Sequence, residues 1–365
     1  MRRALLILLA IIAVVAVYLL FAPVPVSPVA WEAPEDPGTE TGLYRANTAL
    51  ADLSRIPLGG GHGPEDIAAR DGLLYTSSQD GEIFIVDPNT GTVREFARTG
   101  GVPLGIEFDN EGSLLVADAY LGLLRVSPEG EVETLADTVD GTPILYADDV
   151  DVAPDGRIVF TDASTKFGAE EYGSTLGASL YEILEHGATG RVLVHDPATG
   201  ETSVLADGMS FPNGIVITAD GSAALVNITG EYNTLRVPLD GGPVTEFAGP
   251  YPGFPDNINR GPDVDGEATY LVGLVSPRSK ALDDLAGNPG ARKMVQRLPA
   301  FMRPQAESYT HIVVLGEDGR VLASLQDPAG GYAQATGAVA VGGRLYLSSL
   351  TEPDLAYRSL PDSLK

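Results

Sequence analysis

The chain has 365 residues, with 50 acidic against 23 basic side chains, a net charge of -27 and no cysteine. That length can hold one large repeat domain, and the charge excludes the basic stripe that nucleic acid requires while favouring cations. The absence of cysteine excludes disulfides, thiolate metal sites and a cysteine nucleophile.

The amino end reads Met1-Arg2-Arg3 and then an uninterrupted apolar run from Ala4 to Ala22. About 19 such residues suffice to cross a bilayer as a helix. The run exceeds a signal-peptide core and no small-x-small cleavage site follows, so residues 1–22 are expected to form an uncleaved signal anchor. The paired arginines put the amino end inside and the remainder in the periplasm or outside the cell. Secretion after cleavage of a signal peptide is the alternative. Pro23, Pro25 and Pro28 end the helix, and residues 23–42 read as a flexible Pro-rich tether.

From about residue 60, within a domain expected over residues 43–365, the chain reads as almost all strand, with alternation of period two and turns rich in Gly, Asp, Asn and Pro. One unit runs Asp71-Gly72-Leu73-Leu74-Tyr75-Thr76, Gly81-Glu82-Ile83-Phe84-Ile85-Val86 and Gly91-Thr92-Val93-Arg94-Glu95-Phe96. Related segments begin at Glu111, Asp155, Asp220, Asp265 and Gly342. Six units spaced by about 40 residues or more predict an all-β, six-bladed β-propeller, with a β-sandwich or an open array as alternatives. The last unit lacks an outer strand, which Ala51–Leu58 can supply from the amino end to close the ring.

Short polar clusters recur before the turns of successive units: Pro64-Glu65-Asp66, Asp148-Asp149, Pro212-Asn213-Gly214 and Pro255-Asp256-Asn257. If the units close into a ring, these oxygens converge on its axis, which suits a hard divalent cation such as calcium. Asx turns are the competing explanation of the same residues. Insertions interrupt the rhythm near 164–184 and 276–305. The second is a helical amphipathic pattern carrying Arg278, Lys280, Arg292, Lys293, Arg297 and Arg303. It can lie on anionic lipid, cover the mouth of a site, or cap the ring. His62 adjoins the first cluster and is a candidate to orient a substrate; no Gly-x-Ser-x-Gly elbow is present.

Several segments carry a family resemblance. They are Gly63-Pro64-Glu65-Asp66, the run Ala117–Val126 with Asp-Ala-Tyr-Leu-Gly-Leu-Leu, Phe160–Phe167, Phe211-Pro212-Asn213-Gly214, Pro252–Ile258 and Leu325-Gln326-Asp327-Pro328. In this order, over roughly residues 55 to 360, they resemble the strictosidine synthase-like family, in particular its animal branch. That resemblance implies a six-bladed propeller within a superfamily that includes paraoxonase and gluconolactonases, which hold calcium in the central channel. Matched by position, Glu65, Asn213, Asp256 and Asn257 would be calcium ligands. Asp148 stands where asparagine is usual, and Asp66 and Asp149 would serve a second ion. Leu104 stands where paraoxonase has a catalytic histidine, and Thr336 where the Pictet–Spengler enzymes have glutamate; neither of those mechanisms is therefore implied. Leu104 and Thr336 are instead expected beside the substrate.

The expected function is a membrane-anchored, calcium-dependent hydrolase of small carboxylic esters or lactones, with Asp256, or else Asp148, as general base. The alternatives are a non-catalytic, calcium-stabilised binding scaffold, or a strictosidine synthase-like protein without Pictet–Spengler activity.

Overall fold

A computed structural model describes residues 1–364, and their strands form six four-stranded antiparallel sheets arranged as propeller blades. Each blade starts at its inner strand and runs outward through hairpins. The inner strands of blades one to six are Ile67–Arg70, Pro103–Phe108, Ala147–Val152, Pro212–Ile217, Gly253–Arg260 and Ala335–Val341. Middle strands are buried on both faces, as Leu114–Asp118 and Ala223–Ile228 illustrate. Outer strands such as Val132–Ala136 are largely exposed. This gradient follows from a ring in which apolar sheet faces pack against the next blade.

The ring closes as expected. Blade six takes three strands from the carboxyl end, and its outermost strand, Ser54–Pro57, pairs antiparallel with Asp354–Ser359. Ile56 is buried in that seam against Leu58, Ile67, Tyr346 and Leu355. An open edge would otherwise expose unpaired backbone groups.

Among the described residues, four α-helices depart from the strand pattern. Helix α1 is Arg2–Phe21, long and apolar enough to cross a membrane, with no residue buried against the chain. Helix α2, Thr175–Glu185, fills the first insertion; Ser174 caps it by accepting from the Gly177 N–H. Helices α3, Lys280–Asp284, and α4, Pro289–Gln296, fill the second, with Pro289 at the first turn and the Asn288 side chain as cap.

Residues 23–34, expected as part of a tether, make specific contacts along these insertions. Val26 is buried among Leu104, Tyr146 and Phe167. The Ser27 N–H donates to the Glu185 carboxylate at 2.5 Å, and Trp31 stacks on His186 with ring centroids 4.0 Å apart. The prolines leave an extended backbone whose carbonyls lack internal partners. Arginines of the second insertion supply them: Arg278 donates to Pro34 O at 2.7 Å, Arg292 donates to Val29 O, and Arg297 donates to Ala22 O at 2.6 Å. Much of the basic character of that insertion is therefore turned inward, and Arg292 is fully buried.

Replacing Ile56 by Ala should cost about 2–5 kcal/mol by leaving a cavity in the closing seam. Urea denaturation should read this as a lower midpoint; an unchanged midpoint would mean that the amino-terminal strand does not hold the ring shut.

Candidate metal centre

Each inner strand of blades two to six begins with the same irregularity. One extra residue is inserted opposite the neighbouring strand, between Pro103 and Ile106, Ala147 and Val150, Pro212 and Ile215, Pro255 and Ile258, and Ala335 and Ala338. A bulge bends its strand and re-aims side chains. The bulged dipeptides are Leu104-Gly105, Asp148-Asp149, Asn213-Gly214, Asp256-Asn257 and Thr336-Gly337, and Glu65-Asp66 leads into the first blade.

Hydroxyls and amides of neighbouring blades hold these dipeptides. Ser77 Oγ donates to Leu104 O, Thr161 Oγ1 to Asn213 O and Thr229 Oγ1 to Pro255 O, each at 2.7 Å. Thr336 Oγ1 closes the circle by donating to Glu65 O at 2.6 Å. Close approach fixes two glycines. A Cβ at Gly105 would lie 2.1 Å from Asp149 Oδ1, and one at Gly214 would lie 2.5 Å from Asp256 O.

The construction brings Glu65, Asp148, Asn213 and Asp256 onto one cavity of about 490 Å³. Asn257 stands behind them and donates its amide to Glu65 O at 2.9 Å and to Glu65 Oε1 at 3.1 Å. All five side chains are buried. Three of their oxygens, Glu65 Oε2, Asn213 Oδ1 and Asn257 Oδ1, lack any hydrogen-bond partner. Buried orphaned oxygens are costly without a counter-group. Among the described residues, no cluster of three or more His, Asp and Glu side chains forms a metal site unaided. The donor set here is mixed, with two amides, Asn213 and Asn257, beside three carboxyls, a composition that suits a hard cation.

The carboxyls show the same unmet demand. Burial, and then the charges of Asp256 and Asp148, push Glu65 well above its ordinary range. Burial and Asp256 do the same to Asp148. Burial raises Asp256 to about 7, against a hydrogen bond from Asn213 that lowers it. Without a cation the group therefore retains protons that exposed carboxyls would have lost.

Above this polar floor the wall is apolar. Leu104 lines it, together with Tyr146, Phe211 and Phe254. Helix α2 and the second insertion complete the mouth with Leu180, Leu282, Val295, Leu298 and Phe301. Tyr146 was not singled out in the sequence. Burial and the Asp148 charge drive its hydroxyl well above the ordinary range, so it stays a donor. Only its position, two residues before Asp148, could have marked it.

Other expected residues lie elsewhere. His62 is exposed, binds Asp80 through Nδ1 at 2.5 Å and does not line the cavity. Thr336 does not line it either; its hydroxyl is used on Glu65 O and Ser348 Oγ. Asp66 accepts from Ile106 N at 3.0 Å and Asn259 Nδ2 at 3.1 Å. Asp149 accepts from Ile215 N at 2.7 Å and Val150 N at 2.8 Å. Both acids thus join adjacent blades, and neither has an oxygen without a partner.

A six-bladed propeller whose bulged inner strands gather buried oxygens under an apolar mouth defines the class of protein. The strictosidine synthase-like N-terminal model matches residues 42–86, and the strictosidine synthase model matches residues 148–237. The chain is 32% identical over 358 residues to an adipocyte plasma membrane-associated protein of Danio rerio, covering 91% of this chain and 83% of that one. It is 36% identical over 254 residues to strictosidine synthase-like 13 of Arabidopsis thaliana, covering 67% of this chain and 60% of that relative's length. The chain belongs to the strictosidine synthase-like family. Its fold is shared with a gluconolactonase of Xanthomonas campestris, at TM-score 0.61 and 19% identity over 92% of this chain and 98% of that one. It is shared also with regucalcin, a calcium-binding protein of Agrobacterium tumefaciens, at TM-score 0.56 and 16% identity over 84% and 93%.

Substituting Asp149 by Ala strands the Ile215 and Val150 N–H groups and should cost roughly 1–3 kcal/mol of stability. The loss should persist in excess chelator. If chelator erased the difference between variant and parent, Asp149 would act through a bound ion instead.

Proposed function

We propose that this protein is a calcium-dependent hydrolase of carboxylic esters or lactones, held at a membrane by α1 with the propeller outside the cytoplasm. One observation carries the reading. Glu65 and Asn213, each with a buried orphaned oxygen, share the floor of one cavity with the carboxyls of Asp148 and Asp256, and Asn257, with a third such oxygen, is hydrogen-bonded to Glu65. The regucalcin and gluconolactonase likenesses support the fold on which this reading rests, and the apolar α1 fits a signal anchor.

Glu65, Asp148, Asn213, Asp256 and Asn257 would hold the ion. When bound, it would supply Lewis-acid polarisation of the substrate carbonyl. Asn213 orients the Asp256 carboxyl. Asp256, on the cavity floor, can take the proton of the attacking water in its ionised form. Asp148 is the alternative base, because it lines the same cavity. The Tyr146 hydroxyl, kept protonated, can donate to the oxygen that gains charge. Leu104, Phe211 and Phe254 exclude water from the apolar part of the substrate.

Two outcomes test this reading. The full chain with calcium should hydrolyse phenyl acetate or a γ-lactone, and Asp256→Asn should lose about 10²–10⁴ of that rate while still folding. A folded Asp256→Asn protein with parental rates would remove Asp256 as base. No turnover by the parent across a broad ester and lactone panel would favour the calcium-stabilised scaffold.

The pH dependence has a definite sign. Asp256 has a folded pKa near 7, above its ordinary value of 3.8. The folded state thus binds more protons between about pH 4 and 7, so stability present at low pH is lost as pH rises through that window. An ion that needs the ionised carboxylate competes with those protons. The gain in melting temperature from saturating calcium should therefore be larger at pH 8 than at pH 5; an equal gain at both would contradict this coupling.

A further inference from the structure

The rim of the cavity carries large apolar side chains left open to solvent, next to the exposed Gln305 and Glu307. Phe301 and Met302 both line the cavity, yet they are 84% and 55% exposed. Leu180, on the α2 side of the same mouth, is 43% exposed. Exposed aromatic and thioether side chains at the lip of a cavity imply a surface that covers them. The chain also fixes where the membrane helix ends relative to that lip. Arg297 donates to Leu19 O at 2.8 Å and to Ala22 O at 2.6 Å, gripping the last turn of α1. Arg297 directly precedes Leu298, which lines the cavity, and lies four residues before Phe301. Beyond α1, Val24 and Val26 pack into the cavity wall with Leu104, Tyr146, Leu282 and Val295. The apolar span and the rim thus meet at one clamp, with no free linker between them.

We propose that the cavity mouth opens onto the outer leaflet into which α1 is anchored. The lipid surface is then the occupant of the Phe301–Met302 rim. Rim side chains would enter the boundary of headgroups and acyl chains by about 5–10 Å. A substrate can pass from bilayer to cavity with its apolar body against Leu180, Leu282, Val295 and Leu298 and its carbonyl at the polar floor. Resting on the hydrolase reading above, this deepens the substrate class to amphiphilic esters or lactones that partition into membranes. Water adds to the carbonyl carbon, the acyl C–O bond breaks, and the alcohol leaves with a proton while the acid is formed.

The position of the mouth can be read without any turnover. Trp31 is the single tryptophan of the chain. In the full chain carrying Trp31→Phe, a reporter is placed by Phe301→Trp and, separately, by Met302→Trp. A third protein carries Glu111→Trp, at the exposed turn where the inner strand of blade two leaves the cavity end. Each is reconstituted into phosphatidylcholine vesicles containing lipids brominated high on the acyl chain. Loss of fluorescence at 301 and 302 but not at 111 is the expected result. No loss at either rim position, or equal loss at all three, overturns the proposal.

Substrate delivery has its own arm. Phe301→Asp should lower kcat/KM toward a long-chain p-nitrophenyl ester held in vesicles about tenfold more than toward dissolved phenyl acetate, the scale of one lost apolar contact. Equal losses on both would overturn lateral delivery. Quenching at the rim in a protein that turns over neither ester would leave the membrane-facing mouth standing and remove the hydrolase reading.

Discussion

The bulge at the head of the inner strands is the constraint on which the remainder of the molecule depends. A regular strand would send alternate side chains into the sheet faces. One inserted residue lets a dipeptide break that alternation, so Asp148, Asn213 and Asp256 reach one cavity from three blades. The bulge is not held by its own blade alone. Ser77, Thr161 and Thr336 each donate across a blade junction to the backbone of the next dipeptide, and Thr229 donates to Pro255 O just before one. The same bonds that join blades therefore place the oxygens at the axis, and loosening one junction disturbs both stability and site.

Closure and the site are linked for this reason. Thr336 belongs to blade six and Glu65 to blade one, so their bond exists only when the ring is shut by Ser54–Pro57. Asn257, from blade five, also reaches Glu65. The cost of gathering buried carboxyls and amides is carried by packing around the ring, where leucines and valines of successive sheets are fully buried. Such a cluster is electrostatically unfavourable when ionised and unpaired, and either retained protons or a cation offsets it.

Much of this was legible in the residues. Period-two alternation and turn-forming dipeptides marked the blades, because hairpins need φ > 0 residues at fixed places, as at Gly72, Gly112 and Gly221. The seam strand could be inferred because the last unit was one strand short. Glu65, Asp148, Asn213 and Asp256 were legible because they recur at one point of the repeat. What could not be read were relations between distant backbones. His62 adjoins Glu65 in sequence, but it lies outside the strand and turns to Asp80. Position alone places Thr336 beside the substrate, whereas its hydroxyl is used by a backbone carbonyl on blade one. The docking of residues 23–34 depends on arginine-to-carbonyl bonds, which leave no periodic trace in either segment. Asp66 and Asp149 carry carboxylates suited to an ion, yet backbone N–H groups of the next blade occupy them.

The central claim is that the orphaned oxygens of Glu65, Asn213 and Asn257, with Asp148 and Asp256, form one calcium site. Equilibrium dialysis of the full chain against radioactive calcium tests it most directly. One ion bound per chain, lost in folded Glu65→Gln and Asn213→Ala variants, is the predicted result. No bound ion in the parent, or undiminished binding in both variants, would contradict it.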